Sequence, residues 1–228
     1  MSTDSVRAVI FDLDDTLYLQ QSFLDAAWHH VAEFAAQRSS VPREAWYEKL
    51  SLYSSQGSDR GGIIDRAVAD LDPSQDIQLL VDRFRSFAPE SLPLIDNVED
   101  ALTALHAVVP LGLITDGDVT IQRAKIAALG IAHHFDAIVI SDEIGREFRK
   151  PHPAPFRAAL EALGVPASHV VYVGDRPEKD VAGAASVGMR AIRVRTGEYA
   201  ARESQTLPWH DVADVLEAIS VLRTYIAE

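Results

Sequence analysis

Val9-Ile10-Phe11-Asp12-Leu13-Asp14-Asp15-Thr16-Leu17 decides how this chain is read. Val6 and Ala8 to Ile10 lead into it as a short apolar run with β-branched character, bounded by polar residues. Such a run reads as a buried strand. Three carboxylates then arrive within four positions. Like charges this close raise one another's proton affinity, so a positive partner is expected among them. A divalent cation answers that need. Magnesium suits best, because it takes hard oxygen ligands and keeps waters that a phosphate can displace. In open α/β sheets ligands bind beyond the carboxyl ends of strands, which is where Asp12 and Asp14 fall. Aspartates after a strand also make turns and cap helices, so the rest of the chain must supply matching parts.

Downstream of Thr16 the pattern changes. From about Ser22 to Ala88 the apolar residues recur at helical spacing. Phe23, Ala26, Ala27 and Phe34 share one face, and Leu24, Trp28, Val31 and Ala35 the next. Pro42 starts a second helix through Trp46 and Leu50. Gly57 to Gly62 is a polar break, Ile63 to Leu71 a third helix, and Ile77 to Phe84 resumes after Pro73. Trp28, Trp46 and Tyr53 are expected in the core of this block. The remainder alternates in the α/β manner. Strands are expected at Pro110–Thr115, Phe135–Ser141, His169–Gly174 and, last, Ala191–Val194. Between them lie helices at Val98–Leu105, Asp118–Leu129, Pro155–Leu163 and Asp180–Val187. Val212 to Leu222 closes the chain as an amphipathic helix. Asp118 reads as an N-cap and Gly130 as the residue that ends the same helix. The fold class is therefore α/β, a doubly wound and mostly parallel sheet with an inserted all-helical domain.

Three later segments also leave a strand in polar residues. Thr115-Asp116-Gly117-Asp118 precedes a helix N-terminus, where free amides and the helix dipole favour an anion, and Gly117 lets backbone approach a ligand. The same four residues could serve as a capped turn alone. Arg149-Lys150-Pro151-His152-Pro153 holds a lysine on a proline-stiffened stretch, and a point charge suits a phosphate oxygen; the alternative is a solvated surface lysine. Asp175 in Gly174-Asp175-Arg176-Pro177-Glu178-Lys179-Asp180 could complete a metal site begun by Asp12 and Asp14, with Asp180 as helix cap or support. His29-His30 and His133-His134 are adjacent pairs that share no helical face, so no histidine metal site is expected. His152 reads as a turn residue.

Composition narrows the function. The 228 residues carry a net charge of −13, which argues against nucleic acid and anionic membranes as partners. An anionic substrate then needs locally concentrated positive groups. Cysteine is absent, excluding disulfides and thiolate metal sites and fitting a cytoplasmic protein. Neither a signal-type segment nor a stretch approaching the roughly 18 apolar residues of a membrane helix is seen.

Taken in order, DLDDT at 12–16, TDG at 115–117, KP at 150–151 and GDRPEKD at 174–180 resemble the four motifs of the haloacid dehalogenase superfamily. The likeness spans about residues 6 to 200 and is to the phosphatase branch with a helical cap after the first strand. It implies a Rossmann-like core from residues 1–17 and 93–228, and a cap from 18–92 that closes over the active site. It also implies the roles. Asp12 is the nucleophile that forms an aspartyl-phosphate, and Asp14 is the general acid and then base, kept partly protonated by neighbouring carboxylates. Magnesium is held by the Asp12 side chain, the Asp14 main-chain carbonyl and Asp175. Lys150 neutralises Asp12 and the phosphoryl group. Thr115, with amides near Asp116 and Gly117, holds phosphate oxygens, and Asp180 braces the metal site. Dehalogenating members lack an aspartate at the position of Asp14. Many members have asparagine where this chain has Asp116, whose side chain is expected to point away from the phosphate. The implied activity is hydrolysis of a small phosphorylated metabolite, a sugar phosphate or nucleoside monophosphate, by a monomer or homodimer. A phosphomutase of the same superfamily and a non-catalytic phosphate-binding module are the alternatives. A phosphonate hydrolase would need a Schiff-base lysine from the cap, where Lys49 is the only lysine.

Overall fold

The computed structural model describes residues 5–57 and 60–226. It divides into two compact units, Met1–Gln20 with Ser91–Glu228, and Gln21–Glu90.

The larger unit is built on a six-stranded parallel sheet in the order β3-β2-β1-β4-β5-β6. Its strands are β1 (Ala8–Phe11), β2 (Leu111–Thr115), β3 (Ala137–Ile140), β4 (Val170–Gly174), β5 (Arg190–Val194) and β6 (His210–Val212). β1, β2 and β4 are buried along their whole length, as continuous apolar runs in a parallel sheet should be. Ile10, Ile114, Val170 and Tyr172 pack with Phe156 and Ala159 in one apolar cluster. β3 lies at one edge and exposes Ile138.

Register sets the site. Phe11 pairs with Leu113 of β2 and Val173 of β4, so the residues after Phe11 emerge between the carboxyl ends of both neighbours. Strand order reverses direction at this central strand, the place where open α/β sheets take ligands. Asp118 caps the next helix of the core by accepting from the amides of Thr120 and Ile121, and Gly130 closes it at φ 71°.

Three expectations need correction. β6 was not foreseen: its three residues, His-Asp-Val, are too short and polar to show an alternation, and Val212 belongs to it rather than to the closing helix, which runs Val215–Arg223. The third strand ends at Ile140, and Ser141 already opens a short helix, Ser141–Ile144. The helical turn expected to open at Asp180 begins at Pro177, continuing into Ala182–Ser186.

The smaller unit contains α1 (Gln20–Ala36, its first residue belonging to the larger unit), α2 (Arg43–Ser54), α3 (Ile63–Leu71) and α4 (Ile77–Arg85). Asp76 caps α4 through the amides of Gln78 and Leu79. Trp28 stacks on Phe84 at a centroid distance of 4.5 Å, and Phe23 meets Phe84 edge-on and lies tilted against Phe87. Trp46 and Leu50 are fully buried. Tyr53 is not a core residue here: it is half-buried, and its hydroxyl donates to Asp70, which also pairs with Lys49. Phe34 likewise lies at the margin, under the guanidinium of Arg38. No described helix in either unit is long and apolar enough to cross a membrane.

Candidate active site

The core helix capped by Asp118 is α6 (Val119–Leu129), after α5 (Val98–His106). Further on come α7 (Ser141–Ile144) and α8 (Pro153–Leu163), which His152 caps by accepting from the Ala154 amide. α9 (Ala182–Ser186) and α10 (Val215–Arg223) complete the unit.

Asp12 leaves β1 with its amide bonded to the Val173 carbonyl at 2.8 Å. Beside it, Lys150 comes from the loop before α8 and is 4% exposed. The Lys150 ammonium donates to Asp12 Oδ1 at 2.7 Å, to Asp180 Oδ1 at 2.7 Å and to the Tyr172 hydroxyl at 3.0 Å, using all three of its protons. Asp180 Oδ2 accepts from the Arg176 amide at 2.9 Å, so the helical turn from Pro177 presents this carboxylate inward. Gly174 leaves room for it, since a Cβ there would press on the Asp180 carboxylate.

Asp175 follows β4 and is 1% exposed. Oxygens of Asp12, Asp175 and Asp180 lie within 4.8 Å of one another. Burial pushes Asp12 up to about 7 against the pull of Lys150. Burial, then the charges of Asp180 and Asp12, pushes Asp175 far above the usual carboxylate range. Burial would lower Lys150, but Asp12 and Asp180 outweigh it and hold the ammonium well above the ordinary lysine value. Asp175 Oδ1 is buried with no hydrogen-bond partner. Three buried carboxylates thus face one ammonium, with one carboxylate oxygen unsatisfied. A hard divalent cation with oxygen ligands fits that donor set.

The other two carboxylates of the opening motif go elsewhere. Asp15, at φ 57°, accepts from the amides of Gln20 at 2.9 Å and Glu198 at 3.2 Å. Its carbonyl accepts from the Thr196 hydroxyl. Burial raises its proton affinity and these amides oppose that. It is a fastener for the loop. The Asp14 side chain turns to α6. Oδ1 accepts from Lys125 at 2.7 Å and from Tyr18 at 2.5 Å, and Oδ2 from Gln122 at 3.0 Å. Burial would raise Asp14, but the Lys125 charge and the bonds from Lys125, Tyr18 and Gln122 win and lower it. This corrects the expectation that neighbouring carboxylates keep Asp14 partly protonated. A lysine, not a carboxylate, is its nearest charged neighbour.

Thr115 ends β2 fully buried, and its hydroxyl accepts from Gln122. Asp116 turns its carboxylate onto the Lys150 amide at 3.0 Å and the Lys179 ammonium at 3.3 Å. Burial raises its proton affinity, but Lys150 and Lys179 together lower it. Gly117 sits at φ 140°, which glycine tolerates best.

Tyr18, Gln122, Lys125 and Tyr172 were not foreseen as site residues. Gln122 and Lys125 stand three apart on α6 and so share a face, but that spacing is ordinary on an amphipathic helix and marks no site by itself. His133 and His134 are adjacent residues with no common helical face. They lie in a single tight turn, Ala132–His134, and bring ligand atoms within 4.8 Å of Glu99.

A parallel sheet with carboxylates and a lysine gathered at its central carboxyl ends is a Rossmann-like α/β core with its polar cluster where such folds take ligands. Residues 6–188 match the model of haloacid dehalogenase-like hydrolases, and the chain belongs to that family. It is 30% identical to the N-acylneuraminate-9-phosphatase of Mus musculus, over 98% of this chain and 96% of that protein. It is 29% identical to the glyceraldehyde 3-phosphate phosphatase of Methanopyrus kandleri, over 96% and 97%. The crystal structure of 2-haloacid dehalogenase from Pseudomonas syringae pv. Tomato DC3000 superposes with a TM-score of 0.68 at 28% identity, covering 96% of this chain and 99% of that one.

Proposed function

We propose that the protein is a magnesium-dependent phosphatase that hydrolyses a small-molecule phosphomonoester through an aspartyl-phosphate on Asp12. The charge count of the buried cluster carries this reading: Asp12, Asp175 and Asp180 against Lys150 alone, with Asp175 Oδ1 unpartnered. Asp12, the main-chain carbonyl of Asp14 and Asp175 would hold the ion, with Asp180 behind them. Bound there, magnesium would offset the repulsion between nucleophile and phosphate.

In the first step an Asp12 oxygen bonds to phosphorus as the bond to the leaving alkoxide breaks, and Asp14 passes its proton to that alkoxide. Lys150 balances charge on Asp12 and the phosphoryl group, while Thr115 and the amides at Asp116 and Gly117 hold the remaining oxygens. In the second step water attacks phosphorus, its proton goes to Asp14, and Asp12 is released. An incoming phosphate dianion raises the proton affinity of nearby carboxylates, opposing the hold of Lys125 on Asp14.

Asp14 separates this reading from dehalogenation, whose family members lack an aspartate there. Two full-length relatives are named for phosphates of a three-carbon and a nine-carbon sugar, which favours a sugar phosphate over a nucleoside monophosphate. The test is release of inorganic phosphate from a panel of both kinds, with magnesium and then with chelator. Magnesium-dependent release from one structural group is expected. An isomerised product with little free phosphate would replace the reading with a phosphomutase. Binding of phosphate without turnover would replace it with a non-catalytic module.

A further inference from the structure

Lys125 is 3% exposed on α6, and its charge is 2.7 Å from Asp14 Oδ1. Burying an ammonium is costly unless it is closely paired. Its grip is part of a wider one. Tyr18 holds the same oxygen, Gln122 holds the other, and Gln122 also donates to Thr115. Asp14 therefore has both carboxylate oxygens fixed from α6 and from Tyr18, and the same amide joins it to the strand end beside the proposed phosphate pocket.

We propose that Lys125 is a positioning residue, which through Asp14 governs proton delivery to the leaving group. This rests on the phosphatase reading above. Through its contact with Oδ1, Lys125 fixes where the Asp14 carboxyl group stands when the ester bond breaks. The opposing possibility is an ion pair that only fastens α6 to the loop after β1. The two differ in how their loss depends on the leaving group. A leaving group that is already stable as an anion needs no proton, while a basic one does. A residue acting through Asp14 matters only for the second kind.

The experiment measures single-turnover phenol release, with magnesium, from para-nitrophenyl phosphate and para-methoxyphenyl phosphate. Lys125→Met is expected to slow the methoxy ester by roughly 10²-fold, the lower end of what a general acid contributes. The nitro ester should slow by less than about 3-fold, giving the steep leaving-group dependence that Asp14→Asn also gives. Adding Lys125→Met to Asp14→Asn should change neither rate further, because residues acting as one unit are not additive. Equal slowing of both esters, or a further loss in the Asp14→Asn background, overturns the inference. Lys125→Gln carries the same comparison where the methionine variant does not fold. Absence of phenol release from the unsubstituted protein would instead overturn the phosphatase reading. Release with an unaltered Lys125→Met profile would overturn this inference alone.

Discussion

The two units bury different things. Among the described residues the helical unit buries one hydroxyl, amide or charged residue, Ser54, besides a core that includes Phe23, Trp28, Val31, Trp46 and Leu50. The sheet unit buries Asp12, Asp15, Lys125, Lys150, Asp175 and Asp180 as well as its apolar strands, and on β5 Arg193, whose guanidinium stands 3.8 Å from Asp211. An unpaired buried charge costs several kcal/mol, so an assembly of them persists only where every member is matched or a ligand completes it. In the sheet unit every one of these groups but Asp175 meets an opposite charge or backbone amides. The helical unit is organised by packing, and the sheet unit accepts electrostatic strain at the carboxyl ends of β1, β2 and β4.

Asp12→Asn removes the carboxylate at the centre of the sheet unit's buried cluster. It should lower phosphate release by ~10³-fold or more, about 4 kcal/mol of activation free energy. The thermal midpoint should not fall, because the substitution removes a charge that burial disfavours. Retained turnover would remove the nucleophile from the sheet unit and the contrast with it. A matching test on the other side is Trp46→Ala. Emptying this fully buried site should cost ~3–5 kcal/mol of stability, as large aromatic truncations do. Hydrogen exchange should then accelerate in α2 and α3 and stay slow in β1 and β4. Uniform acceleration would mean the units share one cooperative core.

What the sequence made legible follows the same division. Asp12, Thr115 and Asp175 could be singled out because a polar residue at the end of a continuous apolar run is conspicuous and parallel sheets gather such ends, and Lys150 because the prolines after it stiffen the stretch before a helix. Lys125 and Gln122 could not, since a lysine on an amphipathic helix is ordinary until its partner is known, and Asp14 is more than a hundred residues away. In the sequence Asp15 is one of three mutually repelling charges, yet its distant partners come from the loop at 196–198. β6 escaped because three residues show no period. Tyr53 was misplaced because an aromatic at helical spacing says which face it occupies, not whether the face is covered.

The loop contact of Asp15 gives an intermediate test. Gly197 lies at φ 64°, and a Cβ there would run into the Asp15 carboxylate. Gly197→Ala should therefore cost roughly 1–3 kcal/mol, the usual range for a strained backbone position. It should also slow turnover, because Asp15 fastens the turn carrying Asp12 and Asp14. Loss of stability with full turnover would show that the nucleophile is positioned by Lys150 without help from that loop.

The smallest expected effect concerns Asp116, where family members often carry asparagine. Its negative charge stands next to the proposed phosphate pocket, but Lys179 faces it at 3.3 Å with a side chain 25% exposed. Partly exposed pairs are worth little, ~0.5–1 kcal/mol, which is about a 2- to 5-fold change in an equilibrium. Lys179→Ala should raise KM for the phosphomonoester by that factor and leave kcat unchanged, since it uncovers a charge without touching the reacting atoms. Asp116→Asn keeps the acceptor for the Lys150 amide, so the loop should hold its shape. Alone, however, it sets an amide group against the Lys179 ammonium. The two substitutions together remove both charges and should return KM to its starting value. A double variant as impaired as Lys179→Ala would mean that Lys179 attracts the substrate directly. The pair would then belong to the phosphate pocket itself rather than to its electrostatic insulation.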